Sequence, residues 1–499
     1  MEGVLERRIR LDGGSIAALA VLLLGLRGID QPIWEGYIGR QVPTAMVARD
    51  LARGGDPLHP EVATGPFPNW FLVEPPIAAG VAALVSRATG SPLEVSGRLT
   101  STLGMALAAW GLFGLVGRRS GSATAWLAVG FFAAMPVSVR FGRAFQPDAL
   151  MLGLTLAGMR LRDDGRPRLG LLAVALGLAT KVLGAFLLVP LVFGRDRTRD
   201  REPGSIRFDL GFAALALLPA TAWYLHASSA LGASAEASAS AEIAATWARR
   251  LGALGGSIPM AIARDLSYRA FTPLLPPLAL IGLASAGTAT RMIRVWAIAT
   301  AAAFAVLAGK LHHEYYWLMA APIVAWAAAV GIVRLAENRR VVAILAGTAF
   351  AALSLVQTRA VWTTPAEWLP LSSAGRMIAE STEPSAILIA PEALIYAADR
   401  RGCRWEWEPN AVRRAAAEWR SSRSQTVVDA PGLLDFYRTE AGATHFADLQ
   451  VEPLAPDRRR LHQALRAEGR HRVVIDEPGG LLLIRLAKQG PSACPTPPR

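Results

Sequence analysis

The chain has 499 residues, 52% of them hydrophobic and 18% charged, and its mean hydropathy of +0.32 excludes an ordinary soluble globular protein. A formal charge of +13 would suit a nucleic-acid binder, but the surplus arginine lies in short links between apolar runs, where membrane proteins keep cytoplasmic anchors, so no nucleic-acid partner is expected. Of 52 cations only three are lysine, and two of these, Lys181 and Lys310, sit at the ends of strongly apolar stretches. A compact point charge on a flexible stem, kept in such surroundings, suits a phosphate.

The first apolar run, Gly14 to Ile29, follows Arg7, Arg8 and Arg10 and precedes no small-residue cleavage site, which predicts an uncleaved anchor with its N-terminus inside. Residues 30–96 are too polar for lipid but amphipathic over Tyr37–Arg53 and Pro75–Ala88, predicting two helices on the outer surface. Gly54-Gly55-Asp56-Pro57 ends the first of them. Further spans near 97–116, 122–139, 147–161, 169–180, 182–194, 208–228, 270–287, 293–309, 315–333 and 340–360 bring the total to about eleven crossings. The links on the inner side then hold roughly nineteen arginines. Reading 169–193 as one helix would leave either the cluster 160–168 or the cluster 195–207 outside. Two half-crossings broken at Lys181 keep both inside.

Residues 229–268 read as a second outer segment with an Ala/Ser-rich stretch, and 363–489 as a small α/β domain. An odd number of crossings puts that domain outside, with 490–499 as a disordered tail. Cys403 and Cys494 are expected to stay unpaired. Residues 1–362 form the membrane domain on this reading.

The short outer loops carry few charges: Arg140, Arg143, Asp148, Lys181, Lys310, His312, His313 and Glu314. Ionisable groups at membrane depth are costly and face a cavity or one another, so a set gathered on one side reads as a site, with snorkelling anchors as its rival. Asp148 follows Pro147 at a helix start, and Arg143 is its expected ion-pair partner. Glu74, before Pro75-Pro76, reads equally as a helix-capping carboxylate or as a base facing the cavity. His312, His313 and Glu314 adjoin, but adjacent side chains diverge, so hydrogen bonding by His313 and Tyr315 is favoured over a metal site, and no cofactor is expected.

Taken in order, Arg40 to Arg49, the glycine turn and Glu74-Pro75, Arg143 with Pro147-Asp148, Thr180-Lys181, and Gly309-Lys310 with His313, Tyr315-Tyr316 and Pro322 resemble the motifs of bacterial membrane glycosyltransferases. The group is that of the protein O-mannosyltransferases and lipid A aminoarabinose transferases, of GT-C architecture. Tyr396, Asp399-Arg400 and Gly402 are similar to a pattern in the family's outer tail domain. The resemblance implies an all-α polytopic membrane domain with a small extracytoplasmic α/β C-terminal domain, in the inner (plasma) membrane. It implies transfer of a sugar from a polyprenyl-phosphate donor to an extracytoplasmic lipid, glycan or protein. A lipid-linked-substrate transporter or flippase and a silent relative are the alternatives. Arg143, Arg140, Lys181, Lys310, His313 and Tyr315 would then bind donor phosphate, Arg40, Gln41 and Arg49 would form the first-loop motif, and Glu74 and Asp148 would be catalytic. Better-known members carry an acid in the first loop, whereas none occurs between Gln41 and Arg49, which leaves Asp30, Glu35 and Asp50 as further candidates for the base.

Overall fold

The computed structural model describes residues 12–194, 206–231, 265–285, 290–307, 311, 313–451, 453–469 and 471–487. Lys310, His312, Cys494, the tail from 490 and most of 229–268 lie outside them. In chain order the helices are α1 (Gly13–Gly25), α2 (Ile38–Ala52), α3 (Ile77–Thr89), α4 (Leu93–Ser120), α5 (Ser122–Ala134), α6 (Pro136–Phe141), α7 (Pro147–Asp163), α8 (Pro167–Thr180), α9 (Leu188–Phe193), α10 (Ile206–Leu231), α11 (Leu275–Ala284), α12 (Thr290–Val306) and α13 (Ala321–Thr358). Further helices and five strands follow. The chain divides into two compact units, residues 1–31 with 72–363, and residues 32–71 with 364–499. This departs from the division expected from the sequence, since most of the first loop belongs with the C-terminal residues.

The first unit is a helical bundle centred on α4, α7 and α8. Small residues set its spacing. A Cβ on Gly104 would stand 2.6 Å from the Ala149 carbonyl group, and one on Gly111 would stand 2.5 Å from Leu156, so α4 and α7 meet backbone to backbone. Helix α7 opens with Pro147 and Asp148 and closes with Arg160 and Arg162, the order the helix dipole favours.

By length and composition three helical stretches among the described residues are suited to crossing a membrane: Leu93–Ser120, Ile206–Ala230 and a window within the run Glu314–Ser381. The count of about eleven is not reached on that measure. Other apolar runs are interrupted: α5 stops before Pro136, and α8 stops at Lys181, whose φ of −161° and ψ of 113° are extended. A 13-residue helix such as α5 rises only about 20 Å, short of a hydrocarbon core of roughly 30 Å. The break expected at Lys181 is present, and the division expected between 315–333 and 340–360 falls at a kink, where Arg339 leaves the helical region (φ −144°, ψ 62°).

The second unit holds a five-stranded sheet, β1 (Ile387–Ala390), β2 (Arg401–Arg404), β3 (His445–Leu449), β4 (Arg472–Asp476) and β5 (Leu481–Arg485), in the order β2-β1-β3-β5-β4. Strand β1 runs parallel to β2 and β3, while β5 is antiparallel to β3 and β4. Helix α2 does not show the exposed polar face its pattern suggested, because every residue from Gln41 to Ala48 is buried. Gly65 and Gly402 join the loop to β2 through Gly65 N–H to the Gly402 carbonyl (2.8 Å) and Gly402 N–H to the Ala63 carbonyl (2.9 Å). Cys403 is a free, buried thiol, and burial alone pushes its pKa far up, so it is inert.

Candidate active site

Lys181 interrupts the helical path because its backbone leaves the α region directly after Thr180, whose hydroxyl bonds back to the Leu176 carbonyl at 2.8 Å. The ammonium is buried and ion-paired to Asp148 Oδ1 at 2.7 Å, with the side chains 6% and 0% exposed. Nζ also lies 4.9 Å from the ring centre of Tyr315 and 5.2 Å from that of Tyr316. His313 stacks on Tyr315, ring centres 5.6 Å apart and planes 12° apart, and Tyr316 lies 4.5 Å from Tyr315. One cation, one carboxylate, two phenols and an imidazole therefore gather where α8 breaks, where α7 begins and where residues 313–316 pass.

Such a pair is expensive to build. Removing two ions from water costs several kcal/mol each, and only good geometry and further contacts return it. Here the aromatic faces add to the carboxylate, and the second oxygen of Asp148, Oδ2, has no hydrogen-bond partner among the described residues. The pair therefore keeps, among the described residues, one carboxylate oxygen with hydrogen-bonding capacity to offer.

Asp148 therefore pairs with Lys181, thirty-three residues on, rather than with Arg143. The Arg143 guanidinium donates to the Gly28 carbonyl (2.5 Å), the Val361 carbonyl (3.0 Å) and Gln31 Oε1 (3.1 Å), and lies 4.9 Å from the Trp362 ring. Those contacts fasten the two places where the chain leaves the first unit. Arg140 is paired with Glu314 Oε2 at 3.0 Å, and Glu314 Oε1 also receives Arg269 at 2.8 Å. Glu314 is thus a hub holding α6 to residues 313–320, a role sequence reasoning missed; its position between His313 and two tyrosines was the available signal.

Glu74 is buried ahead of α3, which packs on α4, α7 and α8. Pro76, two residues on, occupies the cap position of α3 and supplies no side-chain cap of its own. Asp30 is exposed in the turn that follows α1 in the first unit. Glu35 and Asp50 belong to the second unit, and Asp50 Oδ2 accepts the Glu61 N–H at 3.0 Å.

The first-loop motif also lies in the second unit and serves its architecture. Gln41, fully buried, donates to the carbonyls of Ile33 and Gly36 at 3.3 Å each. Arg40 faces the Phe71 ring at 5.5 Å. Arg49 lies 3.8 Å from the Tyr396 ring centre and donates to the Tyr396 carbonyl (2.8 Å) and Asp399 Oδ1 (3.0 Å), while Arg53 binds Asp399 Oδ2 at 2.6 Å. Burial pushes Asp399 up, but the Arg53 hydrogen bond and the charges of Arg49 and Arg53 outweigh it and hold the carboxyl below its ordinary value of 3.8. Among the described residues, no group of three or more His, Cys, Asp or Glu side chains is placed to hold a metal ion.

Together these features describe a helical bundle with stretches suited to crossing a membrane and a buried charged site where α8 breaks, and a second unit of mixed α/β structure. Residues 73–195 match the family model of dolichyl-phosphate-mannose-protein mannosyltransferases. Across 94% of this chain and 97% of the other, the fold is similar to that of ArnT from Cupriavidus metallidurans bound to undecaprenyl phosphate, with a TM-score of 0.60 and 15% identity. The archaeal oligosaccharyltransferase AglB from Archaeoglobus fulgidus, in complex with an inhibitory peptide and a dolichol-phosphate, matches with a TM-score of 0.53 and 11% identity over 87% of this chain and 69% of its own. The arabinofuranosyltransferase AftD from Mycobacteria matches with a TM-score of 0.52 and 17% identity over 95% of this chain and 41% of its own. No curated protein matches the chain in sequence. The resemblance drawn from the motifs holds at the level of fold.

Proposed function

We propose that the protein is a glycosyltransferase that moves a sugar from a polyprenyl-phosphate carrier to a hydroxyl or amine of a lipid, glycan or protein outside the cytoplasm. The observation that carries this reading is the buried Lys181–Asp148 pair under Tyr315 and Tyr316 at the break after α8. A polyprenyl-phosphate sugar joins an apolar tail to one anionic linkage, and a buried cation beside apolar helices is matched to both. The family match over 73–195 spans Asp148 and Lys181, and the ArnT of similar fold is bound to undecaprenyl phosphate.

In the reaction the bond between the sugar's anomeric carbon and the phosphate oxygen breaks, and a bond to the acceptor oxygen or nitrogen forms. The phosphate departs with the bonding electron pair, so negative charge grows on it. Lys181 meets that charge, and Asp148 holds the ammonium in place before it develops. His313 and Tyr315 donate hydrogen bonds to the same group, and Lys310 is assigned to it from its sequence position. Glu74 takes the acceptor's proton, from just ahead of α3, which packs on the helices bearing Asp148 and leading to Lys181. Arg140 and Arg143 act through Glu314 and the chain crossings rather than on the phosphate. About eleven crossings, an inside N-terminus and an extracytoplasmic C-terminal unit in the inner membrane complete the reading.

The test follows release of polyprenyl phosphate from labelled polyprenyl-phosphate sugars by the full chain reconstituted in lipid. Wild type is expected to release it, and Lys181→Met to lose at least a hundredfold in turnover. Binding without cleavage of every donor offered would favour a transporter, and unimpaired release by Lys181→Met would remove the site.

A further inference from the structure

The stretch from α6 to the first turn of α7 holds a concentration of unspent hydrogen-bonding capacity. Ser138 Oγ, both amide atoms of Gln146 and Asp148 Oδ2 are buried and have no hydrogen-bond partner among the described residues, and these three residues as wholes are only 4%, 1% and 1% exposed. Buried polar groups are partnered as a rule, because an unmade bond in low dielectric costs the full desolvation of the group. A primary amide with neither its donors nor its acceptor used is the largest such deficit a neutral side chain can show.

The stretch is not loose. Ser101 donates to the carbonyls of Ala144 (2.6 Å) and Gln146 (3.3 Å), the Gln146 N–H closes onto the Ala144 carbonyl at 2.7 Å, and buried Phe145 lies across Gly97 where any Cβ would clash. Gln146 then occupies the N-cap of α7 without capping it, its extended backbone (φ −143°, ψ 157°) leaving the amide for another partner. Two residues later stands Asp148, held by Lys181. Both α6 and α7 pack on the segment bearing Tyr315 and Tyr316.

From these observations we infer that Gln146 is a specificity-determining residue whose side-chain amide, together with Asp148 Oδ2, binds a pair of hydroxyls on a sugar ring. A hydroxyl both donates and accepts, and so does the amide; an amide at the N-cap and a carboxylate oxygen in the first turn of the same helix offer the donors and acceptors that two neighbouring hydroxyls need, and an epimer leaves part of them unused. The inference rests on the glycosyl-transfer reading for the identity of its ligand, and the sugar is that of the donor or of a glycan acceptor.

Binding is measured on the full chain in lipid nanodiscs with bare undecaprenyl phosphate, with undecaprenyl phosphate carrying mannose, glucose or arabinose, and with the free methyl glycosides of the same sugars. Gln146→Leu is expected to reduce preference for one sugar over the others about tenfold while leaving bare undecaprenyl phosphate unchanged. Loss confined to sugar-linked lipid places the hydroxyls on the donor; loss confined to a methyl glycoside places them on the acceptor. Gln146→Glu, which keeps shape and acceptor but not the donors, gives the same reading should the leucine variant fail to fold. Sugar discrimination unchanged in a folded variant would overturn the inference, leaving a buried water as the amide's partner. Equal loss of bare lipid would also overturn it, as damage to the Lys181 site. A wild type that binds no polyprenyl phosphate but shows Gln146-dependent sugar binding would defeat the glycosyl-transfer reading and leave this one standing.

Discussion

Two carboxylate–cation clusters, one in each unit, are opposite in physics. Asp399 in the second unit takes both Arg49 and Arg53, with side chains 45%, 21% and 62% exposed, and each of its oxygens is engaged. Asp148 in the first unit, almost wholly buried, takes only Lys181 among the described residues and has one oxygen without a partner among them. The exposed cluster is screened by water and finished as a tie between α2 and the turn before β2. The buried one is undiluted by solvent and unfinished. Membership of a motif therefore says less about chemistry than whether a charged group still has capacity to offer.

The largest effect expected of a single change is at Lys181. Lys181→Met leaves Asp148 buried without its cation, which costs about 3–5 kcal/mol of stability, beyond the loss of turnover. Pairing Lys181→Met with Asp148→Leu is expected to restore most of the stability and none of the turnover, measured by thermal unfolding and by donor cleavage in one preparation. Recovery of cleavage by the double variant would make the pair a structural strut like Asp399. Glu74→Gln comes next, with turnover lower by about a hundredfold and lipid binding unchanged. Full turnover would move the base to Asp148, Asp30, Glu35 or Asp50.

A smaller effect separates the units by pH. Burial raises Glu392 to about 7, with Glu418 and Glu406 adding to the rise and Arg404 opposing it. The folded state then binds more protons than the unfolded state between the ordinary value of 4.5 and about 7, so stability falls as pH rises through that window. Glu392→Gln is expected to raise the unfolding midpoint of the C-terminal residues at pH 8 and to leave it unchanged near pH 4, read by hydrogen exchange across 364–487.

Least is expected of Asp399→Asn. Its exposed pairs contribute under about 1 kcal/mol. Because its pKa is lowered, that contribution is present above pH 3.8 and disappears as pH falls through the folded value. Donor cleavage should be unaffected; a large loss would give the first-loop motif a direct part in the chemistry.

Much of the first unit was legible because its signals are local. Apolar runs marked the helices, Pro147-Asp148 marked the start of α7, and arginine parity marked the break at Lys181. What stayed hidden depends on distant partners. Nothing near Asp148 announces Lys181, and Arg143 binds main-chain carbonyls, which every residue carries. The attachment of 32–71 to the C-terminal residues rests on Arg49 with Asp399 and Gly65 with Gly402, more than three hundred positions apart. Helix α2 was misjudged for the same reason: its pattern looked amphipathic, but its neighbours bury every residue from Gln41 to Ala48.

The central claim is that Lys181, steadied by Asp148, is where an anionic lipid head is held. Binding of undecaprenyl phosphate and of uncharged undecaprenol to the reconstituted full chain, wild type beside Lys181→Gln, tests it most directly. Wild type should favour the phosphate at least tenfold and Lys181→Gln should favour neither; an intact phosphate preference in a folded Lys181→Gln protein would contradict the account.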